Sequence, residues 1–356
     1  VSDAPLVTFN FASTVAKAVP TVDELLAALS NADRPPEAEP EDVQLPASDL
    51  GGRILIDSGA SEAGWHRLEA FLRCPQLYSY QHVLNLDLGS KVALVRGSLV
   101  HVGLAHYYAR RGASQRLRGY RAANGVEWCE EVRHPDGSRS YTPHQITDRD
   151  RFIDPHEAID IVAANWAMRG EPLGLELAPL CHEVVTRYIT RFQGAQSDNF
   201  KIVGVELPLR THHCSHLFTG RLDLVFETAQ GIVVMDHKTT AASVSDSTFD
   251  SYTLSGQMAA LYKFGQEKWP NFHAVMINLI GVGKDTNVRR RAPNAAPWIR
   301  ERFAEIVQDT EEGIARYASR DPWHWPVAAN EHVCRTRYGR CPAWELCRWG
   351  PGKSNH

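Results

Sequence analysis

"GRLDLVFETAQGIVVMDHKTT", residues 220–240, decides how the rest of the chain is read. Two apolar runs flank the ETAQG segment (227–231), the composition of two strands joined by a hairpin. Set into those runs are Asp223, Asp236 and Lys238. An unpartnered charge in a sheet is costly, so three this close together imply either a fully satisfied structural network or a cation. Side chains two apart on a strand share a face, which pairs Asp236 with Lys238 and turns His237 away. Across the hairpin Asp223 can converge on Asp236. Two carboxylates and a backbone carbonyl suit Mg²⁺ or Mn²⁺, hard cations that keep waters for chemistry. Lys238 would then position a water and stabilise charge building on a phosphate. The bland alternative is a surface hairpin with solvated charges.

The chain has 356 residues, 43% of them hydrophobic and 22% charged, which is the composition of a globular protein with room for a sizeable core. No apolar run approaches the ~20 residues of a membrane span, and the N-terminus lacks the basic-then-apolar pattern of a secretory signal. An intracellular, cytoplasmic location without membrane attachment is the expectation. A formal charge of −4 carries no global basic signature, yet enzymes of phosphodiesters need acidic metal sites, so net charge excludes neither class.

Residues 1–60 read as an extension, because "NADRPPEAEPEDVQLPASDLGG" (31–52) is rich in proline and acid and cannot bury enough to order itself. "TVDELLAALS" (21–30) is spaced as a short helix. From residue 61 to 350 the pattern is that of one domain. Trp65, Leu68, Phe71 and Leu72 fall at helical intervals, and "RGSLVHVGLAHYYARR" (96–111) forms a second helix. Residues 112–200 read as a helical insertion interrupted by the turn-like HPDGSRS (134–140). "FKIVGVELPLR" (200–210) alternates as a strand and "FHAVMINLIGVG" (272–283) is another, while 255–269 and 296–319 are spaced as helices.

A Gly-x-x-Asp strand followed by an Asp-x-Lys strand, here Gly220 to Asp223 and Asp236 to Lys238, resembles the PD-(D/E)xK nuclease superfamily. The helix carrying Gly97 and His101 is similar to that of its RecB-like exonuclease branch. The resemblance implies an α/β fold with a restriction-endonuclease-like core, a central mixed sheet flanked by helices, here with a helical insertion. It also implies His101, Asp223, Asp236 and the carbonyl of His237 as metal ligands, Lys238 as the catalytic lysine and Glu206 as a supporting acid. A glutamine–tyrosine pair on the following helix corresponds to Gln257 and Tyr262, five residues apart here where four is usual.

Seven cysteines in a long chain without a secretory pattern point to thiols or metal ligation rather than disulfides. "CRTRYGRCPAWELC" (334–347) supplies Cys334, Cys341 and Cys347, and Cys74 lies far upstream in RCPQLY. One plus three soft ligands would staple the two ends of a domain. In the iron–sulfur subset of the RecB-like branch, which includes AddB and the CRISPR-adaptation nucleases, this arrangement holds a four-iron four-sulfur cluster. The gap between Cys341 and Cys347 fits that pattern, whereas the six residues between Cys334 and Cys341 stand where two are usual. Zn²⁺ is the competitor, with His332 nearby. Cys129, Cys181 and Cys214 have no such spacing.

The resemblance therefore implies a metal-dependent DNA exonuclease of recombination or repair, acting on DNA with single-stranded character. No motif of a helicase motor is present, so unwinding would come from a helicase or strand-annealing partner. Arg289, Arg290 and Arg291 are candidates for tracking a phosphate backbone, and Tyr107, Tyr108 and Trp298 for stacking on bases. Two other readings stay open: a catalytically silent DNA-binding subunit of the same fold, and a zinc-stapled nuclease acting on RNA.

Overall fold

The computed structural model describes residues 52–56 and, with short breaks, 61–129, 146–193 and 198–349, all within the unit Asp42–His356. The expectations for residues 1–51, for the 134–140 turn and for Cys214 lie outside the described residues.

In chain order the helices and strands are α1 (Trp65–Arg73), α2 (Pro75–Tyr78), α3 (Val92–Ser114), β1 (Arg118–Ala122), β2 (Gly125–Cys129), α4 (Pro155–Met168), α5 (Leu173–Gln193), β3 (Lys201–His213), β4 (His216–Thr228), β5 (Gly231–Thr240), α6 (Asp246–Asp250), α7 (Gly256–Lys268), β6 (Phe272–Gly281), β7 (Val288–Arg291), α8 (Pro297–Glu301), α9 (Phe303–Ala318), α10 (Glu331–Cys334), β8 (Arg335–Thr336), β9 (Gly339–Arg340) and α11 (Trp344–Trp349). Strands β1 to β7 form one mixed sheet in strictly sequential order. Every pairing is antiparallel except β5 with β6, which is parallel. A parallel pair needs a crossover, and α6 and α7 supply it.

The sheet is covered on both faces, as the α/β expectation requires. Leu99, Leu104, Tyr108, Val184, Tyr188 and Met235 belong to the core formed with α3, α4 and α5, whereas Val234, Met258, Leu261, Val275 and Ile277 belong to the core under α7. Alternation along β5 therefore sends Met235 and His237 to the α3 side, and Asp236 and Lys238 to the α7 side.

Two expectations are corrected here. Residues 112–200 are not only helical: β1 and β2 lie inside that stretch and extend the sheet beyond β3. The segment 296–319 is two helices, because the chain leaves the helical conformation at Arg302 (φ −93°, ψ 7°).

Besides the irregularities between Ile202 and Gly204 on β3 and between Phe272 and Ala274 on β6, the alternation of the sheet breaks at the middle of β3 and β4. Val205 and Leu207 are two apart but face opposite cores, and so are their partners Leu224 and Leu222. Between them lie Glu206 and, across the ladder, Asp223. Glu206 is buried and has φ +51°, a left-handed conformation that L-residues other than Asn and Asp seldom adopt. That single left-handed residue reverses the facing of the strand. On the β2 side Gly125 runs directly against the Glu206 carbonyl, where any side chain would collide with it.

Buried His106 on α3 ties the chain's first described strand-like segment to the domain. Its Nε2 accepts the N–H of Ile56 (3.0 Å) and its Nδ1 donates to the Ile153 carbonyl (3.1 Å). Burial pushes this imidazole down to about 4, and a proton on Nε2 would break the first of these bonds. Because the folded pKa lies below the ordinary ~6.5, the stability contribution is complete above that value and is lost as pH falls toward about 4. Urea midpoints measured between pH 7.5 and 4.5 should therefore decline on acidification, and decline less steeply in His106→Gln; equal slopes would remove His106 from the account.

Candidate metal centre

The pairing of β4 with β5 runs from Thr228↔Gly231 to Leu224↔Met235 and stops there. Beyond that point the ladder has no backbone acceptor for the next N–H of β5. The carboxylate of Asp223 takes the place: its Oδ2 accepts the His237 N–H at 2.7 Å. A strand residue presents its N–H and C=O at the same edge, so the His237 carbonyl belongs to this opening as well.

Helix α3 delivers His101 to the same opening. Gly97, one turn earlier, sits so close to Thr239 that even a methyl group would press on the threonine hydroxyl, and this lets the helix approach the end of β5. His101 Nδ1 lies 3.4 Å from Asp223 Oδ2. One ligand atom each from His101, Glu206 and Asp223 lie within 4.8 Å of one another. Two carboxylate oxygens and one imidazole nitrogen form a donor set that fits Mg²⁺ or Mn²⁺.

Glu206, expected only as a supporting acid, is thus one of the three that converge. Asp236 stands beside them but is turned to other partners. Its Oδ1 accepts from Gln257 Nε2 on α7 (3.1 Å), and its Oδ2 faces the Lys238 ammonium at 2.8 Å. Burial lifts the Asp236 carboxyl above its usual range, and the Asp223 charge adds to the effect. Burial alone would lower Lys238, yet Asp236 and Asp223 outweigh it and hold the ammonium protonated. A cation entering beside Asp223 would relieve the repulsion between the two carboxylates. Glu69 on α1 is a further acid near Lys238, raised by its own burial and lowered by that ammonium.

The remaining predicted residues divide. Tyr262 is not brought to the centre: its hydroxyl donates to the Pro293 carbonyl (3.2 Å) and its ring lies under Arg300. Five residues after Gln257 rather than four, it is swung by roughly 100° around α7. Arg290 is turned inward, paired with buried Asp198, and does not face a nucleic acid. Arg289 and Arg291 stay half exposed, but both pair with Asp246 and Arg291 also with Asp250. Tyr107 and Tyr108 are buried and unavailable to bases, whereas Trp298 is 55% exposed.

Of the four cysteines of the expected staple, two pack together, and no cluster of sulfurs is evident among the described residues. Cys74 and Cys341 share an apolar cluster with Leu77, Tyr80 and Ala343, and the Cys341 N–H donates to the Cys334 carbonyl (2.7 Å). Burial, together with the neighbouring thiols of Cys74, Cys341 and Cys334, pushes Cys347 up to about 11. Among the described residues, no three of these sulfurs lie within 4.8 Å of one another.

Sequence reading missed Asn278 and Tyr188, which contact His237 on the α3 side, and Asp198, which pairs with Arg290 behind them. The available signal was a lone Asn inside the apolar run AVMINLIGV, a position where a polar side chain must find partners.

Residues 65–348, more than half of the chain, match the family model of the PD-(D/E)XK nuclease superfamily. No curated protein is similar enough in sequence to match.

The left-handed Glu206 separates ligand from backbone experimentally. Glu206→Ala and Glu206→Gly both delete the carboxylate, but only glycine tolerates the backbone, so the glycine variant should be the more stable by about 1 kcal/mol. Thermal unfolding of the two metal-free variants measures the difference, and an alanine variant of equal or greater stability would contradict the strain.

Proposed function

The chain belongs to the PD-(D/E)XK nuclease superfamily, and from that premise we propose that it is a metal-dependent DNA exonuclease of recombination or repair. Members of the superfamily are phosphodiesterases that generally use Mg²⁺ or Mn²⁺. The observation that carries the reading is the convergence of His101, Glu206 and Asp223 beside the Asp236–Lys238 pair. A catalytically retired subunit would have no need to bury this set of charges.

When bound, the divalent cation supplies Lewis acidity at the scissile phosphate and at the leaving oxygen. The chain's own residues do the rest. His101, Glu206 and Asp223 would hold the ion, and the resemblance adds Asp236 and the His237 carbonyl as ligands. Gln257 fixes the Asp236 carboxylate so that its second oxygen addresses Lys238. The Lys238 ammonium orients the attacking water and balances charge developing on the phosphate.

Cys74, Cys334, Cys341 and Cys347 are proposed to hold a four-iron four-sulfur cluster. The one-plus-three arrangement of these cysteines along the chain, similar to that of the iron–sulfur subset of the RecB-like branch, supports it, and zinc on the same cysteines is the alternative. A preference for DNA with single-stranded character, and cooperation with a helicase or strand-annealing protein, belong to the same proposal. Among the described residues no helix is long and apolar enough to cross a membrane.

Asp223→Asn should reduce Mg²⁺-dependent cleavage to background while leaving most DNA binding, since the ligand contributes little to phosphate contacts made elsewhere. Labelled linear single strands, linear duplexes and closed circles are the substrates; efficient cutting of closed circles would replace the exonuclease reading with an endonuclease, and equal cutting of RNA would redirect the substrate. Protein prepared without oxygen should be brown and contain iron and acid-labile sulfide. Colourless protein with one equivalent of zinc would establish the zinc staple instead.

A further inference from the structure

On the α3 side of β5 the His237 imidazole is held from several directions. It lies parallel to the Tyr108 ring (centroids 5.8 Å, 11°) and edge-on to the His101 ring (5.9 Å, 87°). His101 and Tyr108 are seven residues, two turns, apart on α3, so one helix clasps the ring with both. From β6, Asn278 Nδ2 approaches His237 Nδ1 at 2.7 Å, and it also donates to the Tyr188 hydroxyl (2.9 Å) on α5.

The neighbouring guanidinium settles which atoms donate. Arg290 on β7 has no acceptor, and its Nε lies 3.4 Å from Asn278 Oδ1. The Asn278 oxygen therefore faces Arg290, and its NH₂ faces His237 and Tyr188. Nδ1 of His237 must then be an acceptor, which leaves the proton of the neutral ring on Nε2. The rest of the network agrees with this order. Arg290 Nη2 donates to Tyr108 (2.9 Å) and Tyr188 (2.7 Å), Tyr108 donates to Asp198 Oδ2 (3.0 Å), and Tyr188 bonds to Tyr108 (2.7 Å). Asp198 pairs with Arg290, whose guanidinium also lies 3.8 Å over the Phe192 ring. No donor faces a donor anywhere in the set. Nε2 of His237 is buried and has no hydrogen-bond partner among the described residues.

We propose that Arg290 and Asn278 are positioning residues of the reaction: they hold the His237 imidazole as its Nε2–H tautomer, and through it they hold His101 and Asp223 in register. The connection to Asp223 is the His237 main-chain N–H, and the connection to His101 is ring contact. With Nδ1 occupied and Nε2 protonated, the ring offers no lone pair to a metal ion. The ion is left to His101 and the carboxylates, a donor set that favours hard cations. This inference rests on reading His101, Glu206 and Asp223 as the metal centre.

The test is ¹⁵N-histidine NMR of the full chain without metal at neutral pH, with His237→Gln used to assign the ring, followed by titration with Mn²⁺ alone. The wild-type ring should show the Nε2–H tautomer. In Asn278→Asp a carboxylate, which only accepts, replaces the amide, and the proton should move to Nδ1 while Mn²⁺ affinity falls roughly 10–100-fold. Arg290→Lys retains the charge beside Asp198 but not the fork, and should give mixed tautomers with a smaller loss of affinity; it serves if Asn278→Asp does not fold. A wild-type Nδ1–H ring would overturn the proposal, as would a switched tautomer with unchanged Mn²⁺ affinity. Neither readout needs cleavage, so a chain that cut no DNA would sink the proposed function and leave this inference to its own result.

Discussion

The structure depends on where β4 and β5 part. A sheet ladder that simply continued past Leu224 and Met235 would pair Asp223 with Asp236 backbone to backbone and close the space between them. Instead the Asp223 carboxylate caps the His237 N–H, so that the parting costs no buried donor. The same bond fixes one oxygen of the proposed metal ligand. Nearly everything around the centre serves this opening: the close approach of α3 at Gly97, the left-handed turn of β3 at Glu206, and the parallel partner β6 that supports β5 where β4 leaves it.

Burying Asp236, Lys238, Glu206 and Asp223 together is not a route to stability. Taking ions from water costs several kcal/mol each, and pairing returns the loss only where geometry is good and remaining oxygens are bonded. Here Gln257 and the His237 N–H satisfy oxygens that the Lys238 ion pair leaves over. The left-handed Glu206 adds backbone strain of the kind that persists only where surrounding packing over-determines it. Charge and strain are both concentrated within a few residues of the opening, while the faces of the sheet away from it are packed with aliphatic and aromatic side chains.

Much of this was legible in the chain. The apolar runs around ETAQG correctly signalled the hairpin, and two-residue periodicity correctly separated Asp236 and Lys238 from His237. Gly97 and His101 share one helix, as their spacing predicted, and Gln257 lies at the start of its own, bonded to Asp236. What was not legible has physical causes. β1 and β2 are five residues each and sit between long helices, so their alternation is swamped by the helical pattern on either side. The reversal at Glu206 is a backbone event with no compositional trace, since glycine rather than glutamate is the usual mark of positive φ. Three consecutive arginines look alike in sequence, but on β7 alternate residues face opposite ways, and Arg290 alone finds a buried acid.

The strictly sequential order of the strands has a kinetic meaning. A turn of two residues joins β4 to β5, and only two residues of sequence separate β3 from β4, so their pairing closes short loops at small entropic cost. The β5–β6 pair is different, because its ends come together only after the whole segment through α6 and α7 has folded over the sheet. Long-range parallel pairing of this kind is the slow part of assembling such a topology. Gln257 lies on that crossover, and Asn278 lies on β6 beyond it. The groups that restrain Asp236 and His237 thus arrive with the last pairing of the sheet's middle, and a nascent chain carries its acidic residues unassembled until that step is complete.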